Sequence, residues 1–284
     1  MRILTIGSGL VGSRYAALAR DAGHHVIGTT TTPEKVDSLA GVFDEVLVVA
    51  GRDADAVHAA AEGCDAIVVT AGPAAARAMT REDRQATYHD VLVRTAQSVV
   101  SAPGLPRLVM LSAMSVYGEA ANHLDVIDEA SPTTGSDDPS PANFLAAEHT
   151  YLSAAPERSA ILRCADIYGA GDPPIEAKIR MAHELLGGSV PFGGEALFYR
   201  VSVDDVAAAI QFVLDHRLSG TFNLTHTEVP PTNRELFDRV GAGLGFGPLE
   251  FRDEIASPTR PVSNGRITRL GFTFGHTRVA GLDS

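Results

Sequence analysis

The stretch Met1-Arg-Ile-Leu-Thr-Ile-Gly-Ser-Gly-Leu-Val-Gly12 decides the fold of this chain. A short apolar run, Ile3 to Ile6, leads directly into Gly7-x-Gly9-x-x-Gly12, and a helix-like run over 13–22 follows it. Glycines at this spacing, between a strand and a helix, are typical of dinucleotide-binding folds. The motif therefore predicts a dinucleotide site at the start of the chain, with a flexible glycine turn as the alternative.

Each glycine has its own physical role in this prediction. Gly7 permits a tight turn, Gly9 lets a pyrophosphate approach the backbone, and Gly12 lets the helix pack close to the strand. The first helical turn, which includes Leu10 and Val11, offers backbone N–H groups and the positive end of the helix dipole to phosphates. All five residues are therefore predicted to bind the cofactor.

The end of the second predicted strand, 25–28, decides between nicotinamide cofactors. An acidic residue there would bond the ribose 2′-hydroxyl and repel a 2′-phosphate. This chain has four threonines at that place, 29–32, and no acid. We therefore favour NADP(H), with NAD(H) as the alternative, although the threonines could instead only cap the helix that Pro33 opens. The residues predicted to bind the cofactor here are Thr29, Thr30, Thr31 and Lys35, with Arg14 within reach.

Short runs rich in β-branched residues alternate with helical patterns along the first half of the chain. This alternation predicts an α/β fold, a Rossmann-type doubly wound parallel sheet. Ligands bind at the carboxyl ends of such strands, and Ala71 and Gly72, just after the fourth strand, would let the chain pass close to the cofactor. The predicted strands are 45–49, 63–70, 107–111 and 159–163, and the predicted helices are 53–61, 81–101 and 142–154.

Composition and charge exclude several classes of protein. The 284 residues include 35 acidic and 23 basic ones, a formal net charge of −12, so affinity for nucleic acid or an anionic membrane is not expected. The cysteines and histidines show no metal-ligand spacing, and no metal site is predicted. No apolar run reaches membrane-spanning length, and strand one begins too early to leave room for a signal peptide. We expect a cytoplasmic protein with a small-molecule substrate.

The second half of the chain is less regular. The stretch 128–141 is rich in Pro, Ser, Thr and Asp and predicts a loop. Two glycine pairs, 187–188 and 193–194, bracket a segment that we predict to be turn-rich. Helices are predicted at 175–186, 204–216 and 232–243, and a strand at 220–224. The last of these helices carries a capping box of Thr232 and Glu235.

Several stretches together resemble the NAD-dependent epimerase/dehydratase family, the extended short-chain dehydrogenase/reductases. Their order and spacing match that family from end to end. They are LSAMSVYG (111–118), DEASP (128–132), AE (147–148), ILR (161–163), IYG (167–169), RVSVDDVA (200–207), FNL (222–224), VSN (262–264) and LGF (270–272).

The resemblance implies a domain organisation for the chain. It implies a dinucleotide-binding domain over 1–168, to which 199–225 return, and a small C-terminal α/β substrate lobe from 169–198 and 226–284. It also implies hydride transfer to and from the nicotinamide and a substrate such as a nucleotide-sugar. A homodimer built on two helices beside strands four and five is a further implication, while the sequence leaves the oligomeric state open.

The catalytic groups of that family are missing here. The family carries a Tyr-x-x-x-Lys pair on the helix after strand five, where the lysine lowers the pKa of the tyrosine so that its phenolate can take a proton. The matching positions hold Ser140 and Phe144, and the usual Ser or Thr at the end of strand five is Ala113. Ser112 and Tyr117 are the remaining candidates for proton transfer, although Tyr117 belongs to a structural turn of the family. The pattern resembles the atypical branch, which keeps the glycine loop and lacks the catalytic pair.

Two arginines are the candidate substrate ligands. Arg163 ends strand six near the level of the cofactor, and Arg200 lies where the family often contacts a substrate phosphate or sugar. A guanidinium suits an anionic group, and the alternative for Arg200 is a structural pair with Asp204 or Asp205. Two functions therefore stay open. One is an NADP(H)-dependent oxidoreductase or epimerase for a small sugar-like substrate with non-standard proton chemistry; the other is a catalytically inactive NADP(H)-binding sensor or regulatory module.

Overall fold

The computed structural model describes residues 1–73, 80–136, 138–170, 172–255 and 257–276. The chain divides into two compact units. The first unit is Met1–Ala113, Ser136–Arg163 and Val203–Phe222, and the second is Met114–Gly135, Cys164–Ser202 and Asn223–Ser284. Along the described residues the elements are β1 (Arg2–Ile6), α1 (Leu10–Asp21), β2 (His25–Thr30), α2 (Val36–Leu39), β3 (Glu45–Val48), α3 (Ala54–Ala61), β4 (Ala66–Val69), α4 (Arg81–Tyr88), α5 (Arg94–Val100), β5 (Arg107–Ala113), α6 (Pro139–Ala154), β6 (Ser159–Cys164), β7 (Asp166–Tyr168), α7 (Ile175–Leu185), β8 (Ser189–Phe192), β9 (Arg200–Ser202), α8 (Val203–Asp215), β10 (Gly220–Leu224), α9 (Asn233–Gly243), β11 (Glu250–Ile255) and α10 (Gly265–Arg269).

A parallel sheet with the strand order β10-β6-β5-β4-β1-β2-β3 is the centre of the fold. Strand β1 lies between β2 and β4, where Ile3 pairs with Val26 on one side and with Ala66 on the other. Strands β4 and β6 are buried along their whole length, the pattern of a parallel sheet that is covered on both faces. The predicted doubly wound α/β fold is confirmed. The strand order reverses beside β1, and ligands bind at such a switch point, outside the carboxyl ends of the strands.

Helices of the first unit bury the sheet. Helices α3, α5 and α6 share an apolar cluster with the strands, in which Val57, Ala96 and Tyr151 represent the three helices. Helix α1 packs against α8, where the fully buried Tyr15 donates a hydrogen bond to Gln211 at 3.4 Å. This packing fixes α1, and with it the turn that joins α1 to β1.

Three helix boundaries of the first unit differ from the sequence prediction. The helix expected from Pro33 is a 3₁₀ turn followed by the single turn of α2. The single helix expected over 81–101 is α4 and α5, joined by a π-helical turn at His89–Val93. Helix α6 begins at Pro139 instead of 142, because the Asp138 carboxylate accepts a hydrogen bond from the Ser140 N–H at 2.9 Å and caps the helix earlier. The predicted loop 128–141 is therefore helical in its last residues.

The second unit has its own small core. Helices α7 and α9 pack on β8, which pairs in parallel with β11, and the cluster between them includes Ile179, Leu236 and Phe237. The capping box of Thr232 and Glu235 at the start of α9 is confirmed, with reciprocal hydrogen bonds of 2.8 and 3.1 Å. The prediction of a turn-rich segment between the two glycine pairs is wrong, because this segment forms β8. Strand β11 escaped prediction because most of it is exposed and it lacks an apolar alternation.

Candidate functional site

A cavity of about 320 Å³ opens in the first unit at the carboxyl ends of β1, β2, β3 and β4. Eight residues predicted to bind a cofactor line it: Gly7, Gly9, Thr29, Thr30, Thr31, Lys35, Ala71 and Gly72. Leu10, Val11 and Gly12 form the first turn of α1 beside it and do not line it; the Leu10 side chain is exposed and that of Val11 is buried. The other lining residues are Ile6, Ser8, Thr32, Val49, Ala50, Gly51, Arg52, Thr70, Asp90, Val91 and Thr95.

Two of the three motif glycines are required by the packing of the protein itself. Gly7 has φ +104°, a left-handed conformation that favours glycine, and a Cβ on it would lie 2.6 Å from the backbone N of Ala71. A Cβ on Gly12 would lie 2.0 Å from the carbonyl O of Gly7 and 2.8 Å from Oγ1 of Thr70. These two glycines therefore allow β1, the turn and α1 to pack closely, and this packing does not depend on a ligand.

Gly9 is different, because nothing in the protein requires a glycine there. A Cβ on Gly9 would meet no atom within 4 Å, and its φ of −83° lies outside the left-handed region that favours glycine. Gly9 is also the N-cap of α1, and no side chain caps that helix or places an acid in its first turn. The space above Gly9 and the uncapped N–H groups of the turn leave room and hydrogen-bond donors for an anionic group. The residues present thus fit the pyrophosphate of a dinucleotide.

Thr29 joins the end of β2 to the glycine turn. Its hydroxyl accepts a hydrogen bond from the Gly7 N–H at 3.1 Å, and its carbonyl accepts bonds from the N–H and the hydroxyl of Ser8 at 3.1 and 2.9 Å. The Thr30 hydroxyl accepts from the Thr32 N–H at 3.1 Å, and the Thr32 side chain makes no capping hydrogen bond. The threonines therefore organise the cavity wall, and Thr32 does not cap the following turn.

The charged groups on the cavity wall are Lys35, Arg52 and Asp90. Lys35 is exposed, and its ammonium has no ion-pair partner among the described residues. Arg52 donates to Asp90 at 2.8 Å. Arg52 and Asp90 are not among the residues that the sequence predicts to bind the cofactor. Arg52 follows strand three, so its place at the ligand-binding edge could have been inferred; Asp90 lies on the π-helical turn, which no sequence pattern revealed. Arg14 does not line the cavity and pairs with Asp204.

A buried ionic network lies behind the end of β5. Ser112 donates a hydrogen bond to Oε1 of Glu148 at 2.5 Å, and Arg163 binds both carboxylate oxygens of Glu148 at 3.1 and 2.7 Å. Only 4% of Ser112, 3% of Glu148 and 6% of Arg163 is exposed. A buried charge needs such a partner. The predicted role of Arg163 as a substrate ligand finds no support in this geometry, because Arg163 serves the Glu148 carboxylate.

The positions that carry the family's catalytic pair hold residues of another kind. Ser140 lies in the first turn of α6, where its N–H donates to the cap, and Phe144 lies one turn further along. The Phe144 ring meets the edge of Tyr88 at a centroid distance of 6.2 Å and packs against the apolar cluster of the first unit. Ala113 ends β5 and has no functional group. An apolar ring therefore fills the place at which a lysine would lower a neighbouring pKa.

Tyr117, the other candidate for proton transfer, belongs to the second unit. It is fully buried, and its hydroxyl donates to Oδ1 of Asn223 at 2.7 Å. Gly118, the next residue, has φ +48°, and a Cβ on it would lie 2.8 Å from Cβ of Thr134. The geometry assigns Tyr117 to the structure of a tight turn.

Arg200 is the centre of a polar cluster in the second unit. Its guanidinium is buried and pairs with Asp172 and, at 3.4 Å, with Asp166; these are its partners, and not Asp204 or Asp205 of the predicted alternative. Lys178 also pairs with Asp172, at 3.0 Å. Burial alone would raise the pKa of Asp172, but hydrogen bonds from Lys178 and Arg200 outweigh it and lower that pKa below its usual value. Two cations thus converge on one carboxylate.

Aromatic rings complete this cluster. The guanidinium carbon of Arg200 lies 4.5 Å from the centroid of the Tyr168 ring and 5.7 Å from that of Phe198. Tyr168 in turn stacks on the imidazole of His226, at 5.9 Å between centroids. A guanidinium held between rings and carboxylates keeps a fixed orientation, as the recognition of an anionic or sugar-like group requires.

The residues that the structure describes contain no helix with both the length and the apolar character needed to cross a membrane. The same residues contain no group of three or more His, Cys, Asp or Glu side chains that could hold a metal ion.

Known proteins match nearly the whole length of this chain. YeeZ of Escherichia coli strain K12 is 25% identical over 287 aligned residues, which cover 96% of this chain and 95% of that protein. The dTDP-glucose 4,6-dehydratase DesIV from Streptomyces venezuelae, solved with NAD and TYD bound, has a TM-score of 0.76 at 23% identity, over 99% of this chain and 94% of that one. A short-chain dehydrogenase/reductase superfamily protein from Agrobacterium tumefaciens with bound NAD has a TM-score of 0.75 at 22% identity, over 98% and 93% of the two chains.

The family comparison covers most of the chain. Residues 3–225 match the NAD dependent epimerase/dehydratase family. This range contains the glycine turn at residues 7–12, the switch point of the sheet and the buried network behind β5. With this match and the solved structures that share its fold, the chain belongs to the NAD dependent epimerase/dehydratase family.

Proposed function

We propose that this protein binds NADP(H) in the cavity of the first unit, in preference to NAD(H). The observation that carries the proposal is the open space above Gly9, at an α1 N-terminus that no side chain caps. Gly7 and Gly12 are explained by packing alone, and Gly9 is explained only by a group that comes from outside the protein. The bound cofactor supplies hydride transfer; the chain supplies the backbone donors of the turn and the wall that orients it.

The preference for a 2′-phosphate rests on the end of β2. That strand ends in threonine hydroxyls, and no carboxylate is present there to bond the ribose 2′-hydroxyl and repel a phosphate. Lys35 lines the same cavity with no ion-pair partner among the described residues. A cation without a partner beside hydroxyl groups favours the more anionic of the two nicotinamide cofactors.

We propose that the reaction is an oxidation–reduction or an epimerisation of a small sugar-like substrate. Arg200 and Lys178 support this part, because both pair with Asp172, and Asp172 and Lys178 lie in the stretch 169–198 that the resemblance implies for the substrate lobe. Solved relatives include a UDP-glucose 4-epimerase from Thermotoga maritima with UDP-glucose, and such anionic sugar derivatives are the class that we expect this cluster to bind. The homodimer expected from the resemblance stays a prediction.

The proton chemistry would be non-standard. Ser140 is followed one helical turn later by Phe144, whose ring packs against the apolar cluster of the first unit. Ser112 donates its hydrogen to Glu148, so its oxygen is left as an acceptor. Because these groups cannot reproduce a Tyr-x-x-x-Lys pair, a specific second candidate exists, in which the protein is a catalytically inactive NADP(H)-binding sensor or regulatory module.

Calorimetry of the purified chain tests the cofactor proposal. We expect a lower Kd for NADPH than for NADH in the wild-type protein. Gly9→Val should abolish binding, because the new side chain fills the space above the turn, and circular dichroism and thermal unfolding check that the variant folds. Gly41→Val is the matched control: Gly41 also has no atom within 4 Å of a built Cβ, and it lies outside the cavity. Unchanged affinity in Gly9→Val would overturn the site assignment.

A turnover assay separates the two candidate functions. NADPH consumption is followed with a panel of sugar nucleotides, aldehydes and ketones, and NADP⁺ reduction with the corresponding alcohols. Turnover that disappears in Gly9→Val supports the enzyme. Tight NADPH binding with no turnover on any member of the panel supports the sensor.

A further inference from the structure

Arg52 is a cation of the cofactor cavity to which neither the motif nor the family resemblance assigns a role. It follows β3 in the segment Val49-Ala50-Gly51-Arg52, all of which lines the cavity. The segment is held close to the helix behind it, because a Cβ on Gly51 would lie 2.4 Å from Oγ1 of Thr95. The backbone that carries Arg52 is therefore pinned at the ligand-binding edge of the sheet.

The acid beside Arg52 is neutralised. Asp90 accepts from Arg52 at 2.8 Å on Oδ2 and from Arg94 at 3.0 Å on Oδ1, so each of its carboxylate oxygens faces an arginine. The cavity wall itself carries two cations, Lys35 and Arg52, against this single acid. A positive wall is unusual in a protein whose formal net charge is −12. It attracts an anionic group, and Asp90 does not repel it.

The order of the strands shows which part of a dinucleotide would meet Arg52. The glycine turn follows β1, Lys35 comes after β2, and Arg52 comes after β3, and these three strands are neighbours in the sheet. The backbone joins the last two, since the Val49 N–H donates to the Thr30 carbonyl at 3.0 Å. A ligand with its pyrophosphate at the glycine turn and its adenosine ribose at the end of β2 therefore extends toward Lys35 and Arg52.

We propose that Arg52 binds the ribose 2′-phosphate of the cofactor, together with Lys35, and is a specificity-determining residue of this site. The inference rests on the proposed NADP(H) function and adds a residue to it. A guanidinium presents a planar fork of donors that matches a phosphate. One arm of Arg52 is used by Asp90, and among the described residues no other acceptor takes the remaining donors.

Two adenosine fragments test the proposal without turnover. Adenosine 2′,5′-bisphosphate carries the phosphate in question and adenosine 5′-monophosphate lacks it, so the ratio of their Kd values isolates the 2′-phosphate. Wild type should bind the bisphosphate at least about tenfold more tightly, which is about 1.4 kcal/mol. Arg52→Gln should remove most of that ratio by weakening the bisphosphate alone. The ratio should also lose most of its dependence on salt concentration.

Arg94→Gln is the matched control. Arg94 pairs with the same carboxylate as Arg52, its side chain is 50% exposed against 48% for Arg52, and it does not line the cavity. The substitution should change the Kd ratio far less than Arg52→Gln does, because Arg52 still faces Asp90 and still lines the cavity. Circular dichroism and thermal unfolding of both variants check that the fold is unchanged.

Each remaining outcome is decisive. If Arg52→Gln weakens both fragments equally, Arg52 contacts the part that they share, such as the adenine face, and the inference is overturned. If the ratio does not change, it is overturned as well. If wild type binds both fragments with equal affinity, the NADP(H) preference and this inference fail while cofactor binding stands. If wild type binds neither fragment and no nicotinamide nucleotide, the proposed function itself has failed.

Discussion

The glycine turn and the network behind β5 lie in the same unit and differ in how far other residues of the protein bind their polar groups. Ser112 and Arg163 both bind the Glu148 carboxylate, and all three residues are buried. Gly9 and the N-terminus of α1 present space and donors that the protein does not use. A candidate binding position can therefore be recognised when the packing of the protein does not account for the residue type found there, as at Gly9.

Removing one member of the closed network should have the largest effect. Glu148→Gln removes the carboxylate that binds the buried Arg163 guanidinium through two atoms, and we expect a loss of about 3 kcal/mol in the free energy of unfolding. Urea denaturation measures it. Glu195→Gln, in an exposed pair with Arg234, is the control and should change stability by less than about 0.5 kcal/mol. Equal effects in the two variants would mean that the buried network does not support the fold.

The two kinds of glycine should respond in opposite ways to a single methyl group. Gly12→Ala should cost about 3 kcal/mol of stability, since its Cβ overlaps the Gly7 carbonyl, even though alanine favours a helix elsewhere. Gly9→Ala, with open space around it, should stay within about 0.5 kcal/mol of wild type. Denaturant unfolding without ligand measures both. If Gly9→Ala lost as much stability as Gly12→Ala, Gly9 would be a packing residue and the comparison would break.

A lysine restored on α6 should have a smaller effect. Phe144→Lys removes a ring that packs against Tyr88 and places an ammonium beside the apolar cluster, and we expect a loss of about 2 kcal/mol because the half-buried side chain can reach toward solvent. Ala146→Lys, exposed on the same helix, is the control. Thermal and urea unfolding report the difference. Unchanged stability in Phe144→Lys would show that this region still has room for the family's lysine.

The sequence predicts those parts of the fold whose conformation depends on residues that are close together along the chain. The strand, turn and helix around Gly7 and Gly12, the alternation that builds the sheet, and the box of Thr232 and Glu235 all depend on residues within one or two turns of each other. The start of α6 also depends on a local residue, because Asp138 caps this helix. The proline and serine around Asp138 indicate a loop instead, so the sequence predicts a later start.

The parts of the candidate site that the sequence did not predict depend on distant residues. The ion pair of Arg163 with Glu148 joins β6 to α6, and the two residues become neighbours only after folding. Asp90 reaches the cavity from a π-helical turn, and its pairing with Arg52 spans 38 residues. Periodicity and motif spacing contain no information about such contacts.

The hydrogen bonds of Thr29 have a consequence for how cofactor choice could change. Because its hydroxyl and carbonyl hold Gly7 and Ser8, an exchange at this position would alter the phosphate-binding loop at the same time as the ribose contact. A change of nucleotide preference would therefore disturb the glycine turn least if it were made at Thr31 and Lys35, which are both exposed, and not at Thr29.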